Sequence, residues 1–392
     1  PPNGTATSVD DAAAIAAAVG YPVLVRPSYV LGGRAMQIIY DDASLRDYFE
    51  TAVRASEERP VLIDRFLEDA FEADVDAISD GEQVVIGGVM QHIEDAGVHS
   101  GDSACVLPPY LISETAIDTM KAHTVALAKA LGVVGLINVQ FAVRDGIVYV
   151  LEVNPRGSRT IPFVSKAIGI PLASLATRVM VGDTLAEIGF TEEIVPPYIS
   201  VKEAVFPFSK FREFDPLLGP EMRSTGEVMG IAESFGIAFA KAQLAADNAL
   251  PLDGAIFITV NDPDKGTVMP IARRFHEMGF ILYATDGTAR YLGGRGVPTR
   301  AVRKLKEGRP HGVDLMVNGQ IQLLINTPLG KSAQFDDYHL RQAAITHKVS
   351  YTTTMSAASA VCDAVLALRS RKPTVRALQE WHAVLREESR AG

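Results

Sequence analysis

Residues 136–160 read LINVQFAVRDGIVYVLEVNPRGSRT. Apolar and polar positions alternate on either side of Asp145-Gly146, the period-two pattern of two strands joined by a tight turn. The second strand ends on a carboxylate, a carboxamide and two guanidiniums. Glu152 and Asn154 are two residues apart, so their side chains leave the strand on one face, and Gln140 lies on the partner strand. Clustered carboxylate and amide oxygens suit a hard divalent cation, and Mg2+ commonly takes few protein ligands because phosphates and waters complete its shell. Arg156 and Arg159, just beyond, would then hold phosphoryl or other anionic oxygens. From these residues alone, a solvated strand end with an Asn-Pro turn and a surface salt bridge is an equal reading.

Upstream, the pattern predicts a helix over Val9–Val19 capped by Ser8, a short strand in YPVLVRPS that Pro27 breaks after Arg26, and a strand in MQIIY. A helix is expected over 43–56, then strands in VLIDRF, FEADVDAIS and QVVIGGVM, a helix over Glu114–Leu131, and shorter helices over Phe163–Ala167 and Leu172–Val181. Strands dominate and hairpins connect them, the α+β pattern of a mainly antiparallel sheet covered by helices. The loop SYVLGGRA, with Arg34, offers flexible backbone amides that would fold over phosphates or merely turn the chain. It is not a P-loop, since no G-x-x-x-x-G-K-[ST] occurs, and no G-x-G-x-x-G follows the first strand. Glu72 suits ribose hydroxyls or a neighbouring arginine equally well. HSGDS (residues 99–103) reads either as an anion nest or as a plain loop.

Residues 191–249, rich in Pro, Phe and charge, read as a connector folded against the first domain, with a helix near Ser234–Asp247. From Gly254 the rhythm changes. Strands GAIFITV, FILYAT and IQLLINT alternate with helices over Thr267–Met278, Thr288–Leu292, Tyr338–His347 and Ser356–Arg369, which predicts an α/β parallel sheet covered on both faces. The expected division is therefore 1–190, 191–249 and 250–392. Lys265, Thr285, Thr288, Lys304 and Asn326 fall near loop positions, and ligands collect outside the carboxyl ends of parallel strands. Helix capping by Asp286 and Thr288, with solvent-facing lysines, accounts for them as well.

The 392 residues carry a net charge of −10, which speaks against a general nucleic-acid binder while leaving room for a local basic pocket. Cys105 and Cys362 stand far apart, as buried thiols in a reducing cytoplasm would. No run approaches the roughly 20 apolar residues of a spanning helix, and the start lacks a secretory pattern, so neither membrane nor export is expected.

Several stretches carry a resemblance together. RPSYVLGGRAM, DVDAISDG, HIEDAGVHSGDSA, NVQFAV and EVNPR with Arg159 resemble the second ATP-grasp unit of the carbamoyl-phosphate synthase large-chain family. VKEAVFPFSKF and DPLLGPEMRSTGEVMG resemble the segment that follows it. ATDGTARYL and LLINTPLG resemble the methylglyoxal-synthase-like regulatory domain ending that chain. The resemblance implies an ATP-grasp unit incomplete at its start, since PPNGTATSVDD matches the middle of that unit and has no initiator methionine, followed by an α/β regulatory domain. It implies that carbamate is phosphorylated by ATP, with Mg2+ or Mn2+, to carbamoyl phosphate, which feeds pyrimidine and arginine biosynthesis.

By motif position, Arg26 matches an arginine on the nucleotide phosphates, and Gln140, Glu152 and Asn154 match metal ligands, the first two also touching nucleotide. Arg156 and Arg159 match the groups on the carbamate and transferring phosphoryl oxygens. Glu72, Arg65, Leu67, Gly97, Val98, His99 and Ser100 match the surroundings of adenine and ribose, although a histidine can stand at the place of Arg65 in relatives. The implied partners are the missing N-terminal part of the large chain and a glutaminase small chain supplying ammonia. The implied effectors are UMP and IMP, at Lys265, Thr285, Thr288, Lys304 and Asn326, and ornithine, at Glu94, Asp102 and Glu203. Pro328 replaces a threonine of some relatives. Two other classes fit part of these features: another ATP-grasp carboxylate ligase, and a nucleotide-sensing module without turnover.

Overall fold

The computed structural model describes the chain except residues 29–31, 56–59, 209, 211–214, 329 and 392. Parts of the SYVLGGRA, VKEAVFPFSKF and LLINTPLG stretches, and residue 56 at the expected end of a helix, therefore lie outside the described residues. The chain forms two compact units: Pro1–Lys202 with Gly219–Met222 and Thr374–Gly392, and Glu203–Leu218 with Arg223–Pro373.

In the first unit, β1 (Asn3–Ala6), α1 (Val9–Val19), β2 (Val23–Arg26), β3 (Gln37–Ile39), α2 (Asp42–Ala55) and β4 (Val61–Arg65) build a small layer. Its sheet runs β1-β4-β2-β3. The Ser8 hydroxyl accepts from the Asp11 amide at 3.2 Å, satisfying one of the donors that a helix start leaves open. Val23, Val25, Ile39, Leu45, Phe49 and Ile63 form the core under this sheet.

A larger sheet follows: β5 (Phe71–Asp80), β6 (Val84–His92), β7 (Cys105–Leu107), β8 (Val134–Arg144), β9 (Ile147–Asn154) and β10 (Ile199–Val205). These six of its seven strands run in the order β10-β7-β6-β5-β8-β9, and every register given for them is antiparallel. Ala73, Val75, Ala77 and Phe141 pack with Met120 of α3 (Glu114–Ala130) in its core. Helices α4 (Ile161–Ile168), α5 (Leu172–Met180) and α6 (Leu185–Ile188) come after β9. The short β1 and β7, and the seven-residue β10, are absent from the sequence reading because partner strands, not local patterning, define them. Three residues of β7 are held between Gln91–His92 on one side and Ser200–Lys202 on the other.

The second unit takes in the last residues of β10, then β11 (Gly226–Ala232) and α7 (Phe235–Ala245). The stretch read as a connector thus contains two strands. Gly230 permits the closest approach there: a Cβ would stand 2.1 Å from the Ala238 carbonyl oxygen and 2.6 Å from the Ala242 amide of α7. Next come β12 (Ala255–Val260), α8 (Lys265–Glu277), β13 (Ile281–Thr285), α9 (Asp286–Gly293), β14 (Arg300–Val302) and α10 (Gly312–Val317). The unit is completed by β15 (Leu323–Thr327), α11 (Gly330–Thr346), β16 (Ser350–Thr352) and α12 (Met355–Ser370). The sheet order is β14-β13-β12-β15-β16, all parallel, as the apolar strand runs predicted. The final helix, α13 (Leu378–Ala391), belongs to the first unit, where Trp381 meets Tyr198 with ring centroids 5.1 Å apart. No single helix among the described residues is long and apolar enough to cross a membrane.

Candidate active site

The β8–β9 hairpin sets Gln140 opposite Glu152 and Asn138 opposite Asn154, with a register shift just after Gln140. The strand period therefore brings Gln140, Glu152 and Asn154 together, as the spacing suggests. Asn154 Nδ2 donates to Glu152 Oε1 at 2.6 Å, and Arg156 donates to Asn154 Oδ1 at 3.1 Å. Gln140 donates to the Ser100 hydroxyl at 2.8 Å, which leaves its amide oxygen to accept. Among the described residues no group of three or more His, Cys, Asp or Glu side chains could hold a metal. The donor set here is one carboxylate and two carboxamides, all hard oxygens, and it fits a cation that draws its remaining ligands from phosphates and water.

Arg26 ends β2 with its Nε 2.6 Å from Asp64 and donates from a second nitrogen to the Leu151 carbonyl of β9 at 3.3 Å. That pair brings the small layer to the hairpin. Arg159 donates to the Met222 sulfur, while its own side chain is exposed. On the other flank, Gly97 N donates to Glu72 at 3.1 Å and His99 N donates to the Gly219 carbonyl at 2.9 Å. Burial pushes the His99 imidazole below its ordinary pKa, and its Nδ1 accepts from Gly101 N at 3.0 Å. Leu67 is buried with Tyr149 and Leu151 packed nearby, and Val98 is buried as well. Arg65 donates to the Val19 carbonyl at 3.0 Å, so its guanidinium is engaged on the α1 side of the small layer.

Three buried polar residues that sequence reasoning passed over support this arrangement. Asp76 accepts from Asn138 at 2.9 Å, Ser158 at 2.8 Å and Thr160 at 2.6 Å. Burial drives its carboxyl up to about 6 despite those bonds. Lys202 donates to the Ser100 carbonyl at 3.1 Å. His92 lies 3.4 Å from Glu72 and 3.5 Å from Asp74. The available signal was a polar residue inside an apolar strand: DVDAIS for the acids, ISVKEAV for the lysine. Such a residue is costly to bury unless it is bonded.

The expected effector residues divide between the units. Glu94, in the first, accepts from the Ala104 amide at 2.7 Å, and burial raises its carboxyl to about 7; Asp102 is buried nearby in sequence. Glu203, in the second, accepts from Gln243 at 2.6 Å. Also in the second unit, Thr285 and Lys304 line a cavity of about 520 Å³ together with Thr259, Arg303 and Asp337. Thr288 is buried 3.4 Å from the Thr285 hydroxyl, and Lys265 pairs with Asp262 at 2.5 Å. Asn326 donates to Asp337 at 2.7 Å and accepts from Arg341 at 2.9 Å. Arg341 is fully buried and forks onto Asp215, at 2.7 and 2.5 Å. The sequence separation of 126 residues hides that pair from any motif scan.

Comparison with known proteins adds independent findings. The family described as "Carbamoyl-phosphate synthase L chain, ATP binding domain" matches residues 2–188, and "MGS-like domain" matches residues 267–353. The carbamoyl phosphate synthase large chain of Gemmatimonas aurantiaca is 68% identical over 98% of this chain and 35% of its own length. The C-terminal section of that large chain from Aquifex aeolicus is 51% identical, over 98% of this chain and 75% of its own. The chain spans 35–36% of the length of the large chains of Gemmatimonas aurantiaca, Archaeoglobus fulgidus and Pseudomonas aeruginosa. Among solved structures, the biotin carboxylase domain of Hydrogenobacter thermophilus 2-oxoglutarate carboxylase, crystallised with MgADP and bicarbonate, has a TM-score of 0.51 at 18% identity. It covers 62% of this chain and 60% of its own, a likeness of fold alone.

Proposed function

The chain belongs to the carbamoyl phosphate synthase large-chain family, and from that premise we propose that its first unit transfers the γ-phosphoryl group of ATP to carbamate. A carbamate oxygen attacks the γ-phosphorus, the bond to the bridging oxygen breaks, and carbamoyl phosphate and ADP result. The observation that carries this reading is the convergence of Gln140, Glu152, Asn154 and Arg156 at the end of one hairpin, with Arg26 bonded to Leu151 on the same strand.

Glu152, Asn154 and the Gln140 amide oxygen would hold Mg2+ or Mn2+. When bound, the cation supplies neutralisation of the phosphate charge. Arg26 draws the nucleotide phosphates toward β9. Arg156 and Arg159 hold carbamate and the moving phosphoryl oxygens in line, which is where the catalysis lies, because no enzyme nucleophile is needed. Glu72, Gly97, Val98, His99, Ser100 and Leu67 surround the nucleoside; neutral His99 keeps that flank free of added charge. Arg65 acts there by fixing β4 beside α1.

The remainder of the large chain and a glutaminase small chain supplying ammonia are the partners this reading requires, in keeping with the share of the relatives' length that is matched. The cavity of the second unit, with Thr285, Lys304 and Arg303, is the place for an effector nucleotide such as UMP or IMP. The test is the reverse partial reaction in the intact enzyme: carbamoyl phosphate and MgADP should yield ATP. No ATP from an enzyme that is otherwise folded and able to bind nucleotide sinks the proposal.

A further inference from the structure

We propose that Asp76 is the positioning residue of the phosphoryl-transfer turn, holding the backbone on both sides of Arg159 by accepting hydrogen bonds from Ser158, Thr160 and Asn138. Given that Arg156 and Arg159 hold the reacting oxygens, as proposed above, the precision of this turn sets the precision of the reaction.

Asp76 lies in the middle of β5 with no exposed surface, between β6 and β8. Its accepted bonds come from neutral groups, an amide and two hydroxyls. Burying a carboxylate on such terms is costly, and an apolar side chain would serve core stability as well. The geometry gives the charge another use. Oδ1 receives Asn138 and Ser158, and Oδ2 receives Thr160. Asn138 pairs with Asn154 across the hairpin, at the start of the turn. Thr160 is the residue from which α4 begins, at its end. Ser158 and Thr160 also share a bond of 2.7 Å. One carboxylate therefore ties the first strand pair, the turn and the following helix to the centre of the sheet. Arg159 stands between the two tethered hydroxyls with its side chain exposed and donating to the Met222 sulfur, so its backbone is fixed independently of what its guanidinium meets.

Asp76→Asn keeps the size but removes the charge and leaves one acceptor oxygen where the carboxylate has two, so the three donated bonds cannot all be kept as they are. In the complete enzyme, ATP formation from carbamoyl phosphate and MgADP should lose roughly 10–100-fold in kcat, the size of effect that displaced reacting groups produce, with KM for ADP changed less than about twofold. Arg159→Lys should impair the wild type strongly but cost less than about threefold more in the Asp76→Asn background, because the arginine is already misplaced. Ser158→Ala and Thr160→Val each remove one tether and test the claim if Asp76→Asn does not fold; each should lower kcat at unchanged KM for ADP. A folded Asp76→Asn with normal kcat overturns the inference, as do normal kcat in both tether variants or equal cost of Arg159→Lys in the two backgrounds. A wild-type enzyme that makes no ATP refutes the reaction itself, a result distinct from all of these.

Discussion

Arg156 shows why charge alone does not describe this site. Its guanidinium reaches Asn154 with one nitrogen and the Gly157 carbonyl with another, a planar fork that an ammonium cannot copy. Arg156→Lys should therefore lower the rate of carbamoyl phosphate formation by about 100-fold, comparable to loss of one preorganised donor, with ATP binding nearly intact. Collapse of ATP affinity with a normal rate at saturating ATP would move Arg156 out of the reaction centre. Asp76 supplies a pH-dependent readout. Its carboxyl is raised from 3.8 to about 6, mainly by burial, so the native state binds the proton first as pH falls. Stability attributable to this group is lowest above pH 6 and recovers as the pH drops toward 4. Denaturant unfolding should show wild type gaining on Asp76→Asn across that range, by on the order of 2–3 kcal/mol. A constant difference would mean that Asp76 ionises normally. The grouping of the carboxylate, the amide and Arg156 in LEVNPRGSRT was legible because strand period and side-chain chemistry suffice for it. Asp76 was not, since its partners lie 62 to 84 residues away.

At the scale of elements, local patterning sufficed where an element carries its own signal. Ser8 caps α1 and Ser113 caps α3, each accepting from the amide three residues on. The Asp145-Gly146 turn joins β8 to β9, with Asp145 and Gly146 both at positive φ. Strands made by partners escaped: β7 and β10 pair with each other over three residues, and β10 lies in a stretch whose prolines read as a connector. Element contacts also explain Gly230, set against the backbone of α7 where no side chain can yield. Gly230→Ala should cost about 2–3 kcal/mol, the scale of an overpacked core site, and lower the unfolding midpoint accordingly. An unchanged midpoint would show that β11 and α7 have room to part.

Across the whole molecule, each unit contains a polar site on a different kind of sheet. In the second unit, the parallel strands β12, β13 and β15 lead to a cavity with Thr285 and Lys304 in its lining. The full chain should bind UMP in calorimetry, and Lys304→Ala should weaken that binding about tenfold, as loss of a charge-assisted phosphate contact would; equal affinity would remove Lys304 from the site. In the first unit, the oxygens at the end of β9 are proposed to hold the cation for phosphoryl transfer. The direct measurement is ATP formation from carbamoyl phosphate and ADP by Glu152→Gln in the complete enzyme, followed across Mg2+ concentration. We expect a loss of at least about 100-fold, equivalent to about 2.7 kcal/mol of barrier, with the fold intact and partial recovery at high Mg2+. A correctly folded Glu152→Gln enzyme that turns over at the wild-type rate under limiting Mg2+ would contradict it.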